Sequence, residues 1–237
     1  MEGIVMGFQK NATVVFVHGA WADGSSWGTV INRVSEAGLG VICAPIPMTT
    51  LSDDTAALLR VIARVDGPVI LVAHAYAGAV IASAADDKVK GLVFITALAP
   101  DEGESVADVF YREPPHADAP KLGPDKTGYI WMPHEGILRA FAPNASAEEK
   151  VRLEAIQRPL HVACIQEKAP VPAWKKKPTW YLIAEEDRMI PQKTQRFMAE
   201  RMKATIRTAH SDHTPSLTMP KPVTEIVLEA AQATLAG

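Results

Sequence analysis

Between Val69 and Val80 the chain reads Val-Ile-Leu-Val-Ala-His-Ala-Tyr-Ala-Gly-Ala-Val. A β-branched apolar run passes through very small residues straight into a helical pattern. A strand that enters a helix through so few residues must turn sharply. Small side chains two before and two after the central position let the two elements approach and push the central side chain into an open site. Ala73 and Ala77 are small enough for that. The central position is Ala75, which carries no atom able to attack a substrate.

The rest of the chain repeats the strand and helix theme. Ala12–Val17 is a near-continuous β-branched run, the mark of a strand covered on both faces, and it stops at His18-Gly19. Ser25-Ser26 precede a helical pattern over Trp27–Ala37, and Val41–Ile46 predicts a second strand. Leu58, Leu59, Ile62 and Val65 form one stripe of a helix over Thr50–Val65, with Ser52 and the Asp53-Asp54 pair near its start, where the helix dipole favours acids. After this sharp strand-to-helix turn, the elbow centred on Ala75, come a buried strand over Val89–Leu98, a strand at Thr179–Ala184, a helix at Lys193–Met202 and a strand at Ala204–Ala209. An amphipathic helix over Pro222–Ala236 closes the chain. Strands alternating with helices predict an α/β fold with a doubly wound, mostly parallel sheet, whose ligands lie beyond the carboxyl ends of the strands.

Residues 99–177 break this rhythm. They hold 10 of the 18 prolines and one clear helix start, Ser146-Ala147-Glu148-Glu149, with capping-box spacing. The expectation is a core of residues 1–98 and 178–237 carrying a helical, proline-rich lid over 99–177. Its aromatic residues Phe110, Tyr111, Tyr129, Trp131 and Phe141 are candidates either for a pocket wall or for the lid's own small core.

At 237 residues and a formal net charge of -3, with charges spread along the chain, nothing suggests a nucleic-acid groove or a polybasic membrane patch. The densest basic run, Lys175-Lys176-Lys177, reads as a solvated loop. Cys43 and Cys164 provide neither a disulfide framework nor zinc-ligand spacing, and Met1–Asn11 lacks the pattern of a secretory leader, so a cytoplasmic protein is expected. Pro68–Ala85 has the hydropathy of a membrane span but divides into strand, turn and helix.

Three strand ends therefore hold notable residues in order: the elbow at 75, an acid among Glu185, Glu186 and Asp187, and a histidine at 210 or 213. With His18-Gly19 after the first strand, this arrangement resembles the α/β-hydrolase superfamily, whose triad runs nucleophile, acid, histidine. The finer resemblance is to small capped members related to hydroxynitrile lyases and plant methylesterases. Four segments carry it: Phe16-Val17-His18-Gly19-Ala20-Trp21 with Gly24 and Trp27; Ala73–Gly78; Ala99-Pro100-Asp101-Glu102-Gly103-Glu104-Ser105; and Asp187-Arg188-Met189-Ile190-Pro191 with Ser211-Asp212-His213. The usual elbow there reads Gly-His-Ser-Tyr-Gly-Gly, so this chain departs at Ala73, Ala75 and Ala77, which points to divergence of the elbow as a unit.

The resemblance implies His213 as base and Asp187 as its orienting acid, with His210, Glu185, Glu186, Asp101 and Glu102 as competitors. It implies an oxyanion hole from the backbone amides of Ala20 and Tyr76. Trp21, Ser25 and Trp131 are substrate-binding candidates, Ser25 having a helix cap as its alternative duty. His18 and His74 read as structural residues of the loop and the elbow. His210 and His213 have a His-x-x-His spacing but no third ligand, so neither metal nor cofactor is expected.

Without a serine there is no ordinary acyl-enzyme. Cys43 sits on the wrong strand, and Tyr76 points away from the site in an ordinary elbow. What remains is general-base chemistry on a small, largely apolar ester or carbonyl compound: direct water attack, or a lyase, isomerase or cofactor-free oxygenase step. The alternatives are a non-catalytic ligand-binding homologue and a serine esterase inactivated by Ser-to-Ala substitution at 75. The expected partner is a small-molecule substrate, with no nucleic acid and no membrane; a homodimer is compatible with the sequence.

Overall fold

The computed structural model describes residues 7–237. The leader reading of Met1–Asn11 thus rests in part on residues outside the described range. The strands are β1 (Thr13–Val17), β2 (Gly40–Ala44), β3 (Val69–His74), β4 (Val89–Ile95), β5 (Tyr129–Ile130), β6 (Leu160–His161), β7 (Thr179–Ala184) and β8 (Thr205–Ala209). Six of them form one sheet in the order β2-β1-β3-β4-β7-β8, every neighbouring pair parallel. The chain order reverses between β1 and β3. The crevice beyond their carboxyl ends is where an open parallel sheet receives a ligand, and His18-Gly19 and Ala75 follow those two strands directly.

Side chains alternate across each strand, so one β-branched run serves two cores. Val15, Leu71 and Phe94 face helices Leu51–Ala63, Ala77–Ser83 and Gln192–Arg201; Val14, Ile70 and Val93 face helices Gly28–Glu36 and Pro220–Leu235. This is why the strands lack a polar face in the sequence. The span from Pro68 to Ala85 resolves into β3 and a seven-residue helix. No helix among the described residues is long and apolar enough to cross a membrane.

Element ends differ from the sequence reading by a few residues, for physical reasons. β2 stops before Pro45, which lacks an N–H for the ladder. β4 stops at Ile95 because Thr96 turns into a left-handed conformation at φ 41°. The helix at Leu51–Ala63 is capped by Thr50, whose hydroxyl accepts from the Asp53 amide at 3.0 Å. Asp54 is fully buried and is not a surface acid on the helix dipole.

Residues 99–177 run between β4 and β7. They form short helices, a π-helical turn at Ile137–Phe141 and the antiparallel β5–β6 pair. The capping box at Ser146 and Glu149 forms as its spacing predicts. Val106, Ile130 and Phe141 from this segment join the core that contains Val15 and Leu71, so the segment packs continuously with the sheet's helical layer.

The elbow is tight enough to forbid side chains at two glycines. A Cβ on Gly78 would lie 2.4 Å from the Leu98 carbonyl oxygen; one on Gly19 would lie 2.9 Å from His74 Nδ1 and 3.0 Å from the Ala75 Cβ. Replacing a helical glycine by alanine ordinarily stabilises by up to about 1 kcal/mol. Gly78→Ala is expected to do the reverse, lowering unfolding free energy by roughly 2 kcal/mol through overpacking against backbone, as read from urea denaturation.

Candidate active site

Three loops meet at the carboxyl edge of the sheet. The first follows β3: Ala75 has φ 50°, a left-handed backbone that alanine rarely adopts. Its carbonyl accepts from the Gly78 amide at 3.1 Å and the Leu98 amide at 2.9 Å, which holds the strained turn against the end of β4. The second follows β1 and carries Gly19, Ala20 and Trp21. The third follows β8 and carries His213.

Asp187, after β7, has no exposed side-chain surface and accepts five hydrogen bonds. Oδ1 receives the amides of Met189 at 2.7 Å and Ile190 at 2.9 Å. Oδ2 receives the Thr96 hydroxyl, Gln195 Nε2 at 3.0 Å and His213 Nδ1 at 2.9 Å. Burial by itself pushes a carboxyl's pKa up, but the attraction of His213 and these hydrogen bonds outweigh it and hold Asp187 below its ordinary 3.8. An ionised Asp187 requires the proton on Nδ1 of His213, which leaves Nε2 as the nitrogen free to accept one.

The two oxyanion candidates are placed compatibly. The backbone amides of Ala20 and Tyr76 have no hydrogen-bond acceptor among the described residues. Both residues line one apolar cavity together with Trp21, Ala75 and His213. The space free of protein atoms in the cavity and the open solvent at its mouth together is about 570 Å³. Half its wall comes from residues 99–177, among them Val106, Phe110, Leu122 and Ile130, and Tyr111, 59 % exposed, stands where wall meets solvent.

Other candidates lie elsewhere. Ser25 is not in the cavity wall. Its hydroxyl donates to Asp23 Oδ1 at 2.6 Å, and Asp23 is the residue that caps this turn. Trp131 is 50 % exposed and outside the wall, because the alternation of β5 turns Ile130 inward and the next residue outward. His210 is 84 % exposed and pairs with Glu185 at 2.6 Å. Glu186 receives Asn144 at 3.4 Å, Asp101 pairs with Lys175 at 2.5 Å, and Glu102 is exposed. Of the aromatic residues in 99–177, Phe110 and Tyr111 reach the cavity, whereas Phe141 packs against His213 with ring centres 5.3 Å apart. Among the described residues no three His, Cys, Asp or Glu side chains gather as a metal site.

Several roles here carry no signal in the sequence. Thr96 and Gln195 hold Asp187 from the end of β4 and from the helix after it. Asp212, fully buried, accepts from the Thr214 amide at 3.0 Å and the Asn144 amide at 2.9 Å, fastening the His213 loop to residues 99–177. Arg158 accepts the Trp21 amide on its carbonyl at 3.0 Å and donates its guanidinium to His18 Nε2 at 3.2 Å. Asp54 accepts the Met48 amide at 2.6 Å and the Tyr76 hydroxyl at 2.7 Å, so the Tyr76 phenol points beneath the elbow. The nearby Cys164 thiol is pushed up to about 12 by burial, which leaves it protonated.

A family model described as the alpha/beta hydrolase family matches residues 14–226. The chain belongs to that family. Solved structures of similar fold include polyneuridine aldehyde esterase (19% identity, TM-score 0.79, 93% of this chain and 99% of that one). They also include a pyrethroid hydrolase from Sphingobium faniae JZ-2 (20%, 0.77, 94% and 98%) and a methylesterase from Arabidopsis (19%, 0.77, 94% and 99%). No curated protein matches the sequence.

The buried histidines make stability depend on acid. Burial lowers His18 to about 4 and His74 to about 3, so both are neutral when folded. Unfolded, they take up protons near 6.5, so the unfolded state binds more protons between that value and the folded ones. Stability is therefore full above about pH 6.5 and falls as pH drops, by roughly 1.4 kcal/mol per histidine per pH unit. The lowered Asp187 pKa acts in the same direction at still lower pH. Urea midpoints measured from pH 7 to pH 5 are expected to decline, with a shallower decline in His18→Gln.

Proposed function

We propose that this α/β-hydrolase-fold chain is an enzyme acting on a small, uncharged, largely apolar ester or carbonyl compound by general-base catalysis without a covalent intermediate. His213 is the base, Asp187 orients it, and the amides of Ala20 and Tyr76 receive the developing oxyanion. The observation that carries the reading is the buried His213–Asp187 pair facing an apolar cavity beside two unpartnered amides. Removing an ionised carboxylate from water costs several kcal/mol even when it is paired. A ligand-binding cavity alone needs no such pair.

In the hydrolytic form, a water held at His213 Nε2 beside the Ala75 methyl attacks the substrate carbonyl carbon and gives its proton to the imidazole. The tetrahedral oxyanion lies against the two amides, where preorganised dipoles in a dry site are most effective. The imidazolium, stabilised by Asp187, then protonates the leaving alkoxide, and the products are acid and alcohol. The same parts serve proton removal from a bound C–H or O–H next to a carbonyl. Residues 99–177 act as the lid that keeps bulk water out, in keeping with their share of the wall. The esterase and methylesterase names among the fold neighbours, and the sequence resemblance to hydroxynitrile lyases, favour ester or carbonyl substrates. With a wall lacking a cationic or anionic anchor besides His213, a charged substrate would be buried without a partner.

The test is hydrolysis of a panel of activated aryl esters by the protein, His213→Ala, Asp187→Asn and Ala75→Ser. Turnover by the protein is expected to fall about 10²- to 10⁴-fold in His213→Ala and comparably in Asp187→Asn, whose amide favours the wrong tautomer. Turnover only in Ala75→Ser would replace this reading by an inactivated serine esterase or a ligand-binding homologue.

A further inference from the structure

His74 enters the sequence reading only as a packed residue of the elbow, yet it stands between all three loops of the site. Its Nε2 lies 2.6 Å from the backbone oxygen of His213, 139 positions along the chain. A carbonyl can only accept, so the Nε2 proton of His74 is donated to it. The rings of His74 and His213 are 4.7 Å apart between centres. On its other side His74 meets the loop after β1, where a Cβ on Gly19 would come within 2.9 Å of Nδ1. Trp27 and Phe141 pack edge-on to the imidazole, with ring centres 6.4 and 6.5 Å away, which fixes its plane.

We infer that His74 is a positioning residue for the base: its Nε2–H, donated to the His213 carbonyl, sets the orientation of the His213 imidazole relative to Asp187 and the elbow. The inference rests on His213 being the base, but the geometry it describes exists without substrate. Because residue 74 adjoins Ala75, the same bond ties the base to the position from which a nucleophile or water would act. Imidazole suits the task because it spans the distance as a rigid ring. Burial keeps it neutral, with its pKa lowered to about 3, so it places no positive charge beside His213.

The experiment is ¹⁵N and ¹H NMR of the histidine rings in the free protein, comparing His74→Gln, which keeps an N–H at about the place of Nε2, with His74→Phe, which keeps the ring and loses the donor. Thermal unfolding runs in parallel. In the unaltered protein His213 is expected to show a single Nδ1–H tautomer with a slowly exchanging, downfield proton shared with Asp187. His74→Gln retains that signature. His74→Phe, though folded, loses the downfield proton to exchange and shows a mixed His213 tautomer. If His74→Phe does not fold, His74→Leu, also without a donor, carries the same expectation.

An unchanged His213 signature in a folded donorless variant overturns the inference. So does its loss in His74→Gln to the same extent as in His74→Phe. Because the signal needs no turnover, the role of His74 is tested even in a protein inactive on every ester, which separates failure of this inference from failure of the proposed reaction. In an active protein, a kcat loss of about 10²-fold in His74→Phe with KM little changed is the kinetic counterpart.

Discussion

The site depends on keeping one carboxylate charged where no water reaches it. Asp187 can be ionised in the interior only because five donors converge on its two oxygens, and those donors come from four places: the end of β4, its own loop, the following helix and the His213 loop. Each donor is satisfied by the charge and each helps to hold it, so the acid is a junction as well as a partner. Thr96 illustrates the cost. A β-branched residue at φ 41° is strained, and its hydroxyl bond to Asp187 is the visible compensation.

The elbow stores strain of the same kind at Ala75, although its side chain has no chemistry of its own. Tight geometry persists there because the Ala75 carbonyl is bonded twice, and because Gly19 and Gly78 leave no room for the turn to relax. With alanine at the apex, the turn places Tyr76 in the cavity wall with its amide lacking an acceptor among the described residues. A backbone donor does not depend on the identity of the apex side chain, so the turn offers the Tyr76 amide with alanine in place.

Residues 99–177 take part in this frame through polar contacts. Arg158 holds the loop after β1, Asn144 holds Asp212 beside His213, and Arg188 after Asp187 donates to the Arg139 carbonyl at 2.8 Å. Trp21 adds an indole bond to the Ile130 carbonyl at 2.9 Å. Each of three site loops therefore has a polar tie to residues 99–177.

The α/β fold, the parallel sheet and the place of the elbow were legible in the sequence because they rest on local rules: buried strands read as β-branched runs, surface helices as stripes, and sharp turns as small residues. The order of elbow, acid and histidine was legible too, and the resemblance selected His213 and Asp187 within it. What local pattern does not carry is which polar side chain ends up dry. His210 and His213 are three residues apart, yet one is bathed in solvent and the other sealed. Asp53 and Asp54 are adjacent, yet only the second is buried. Trp131 looked like a pocket residue until the register of β5 turned Ile130 inward in its place. Those outcomes hang on partners 91 residues away for Asp187 and Thr96 and 139 away for His74 and His213. Amino-acid periodicity by itself determined the sheet, its helices and the turn at its centre, since these depend on neighbours along the chain. Only the tertiary structure decided which acid stays charged, which histidine faces the cavity and what holds it there, since desolvation and hydrogen-bond partnership are set by residues brought together from distant strand ends.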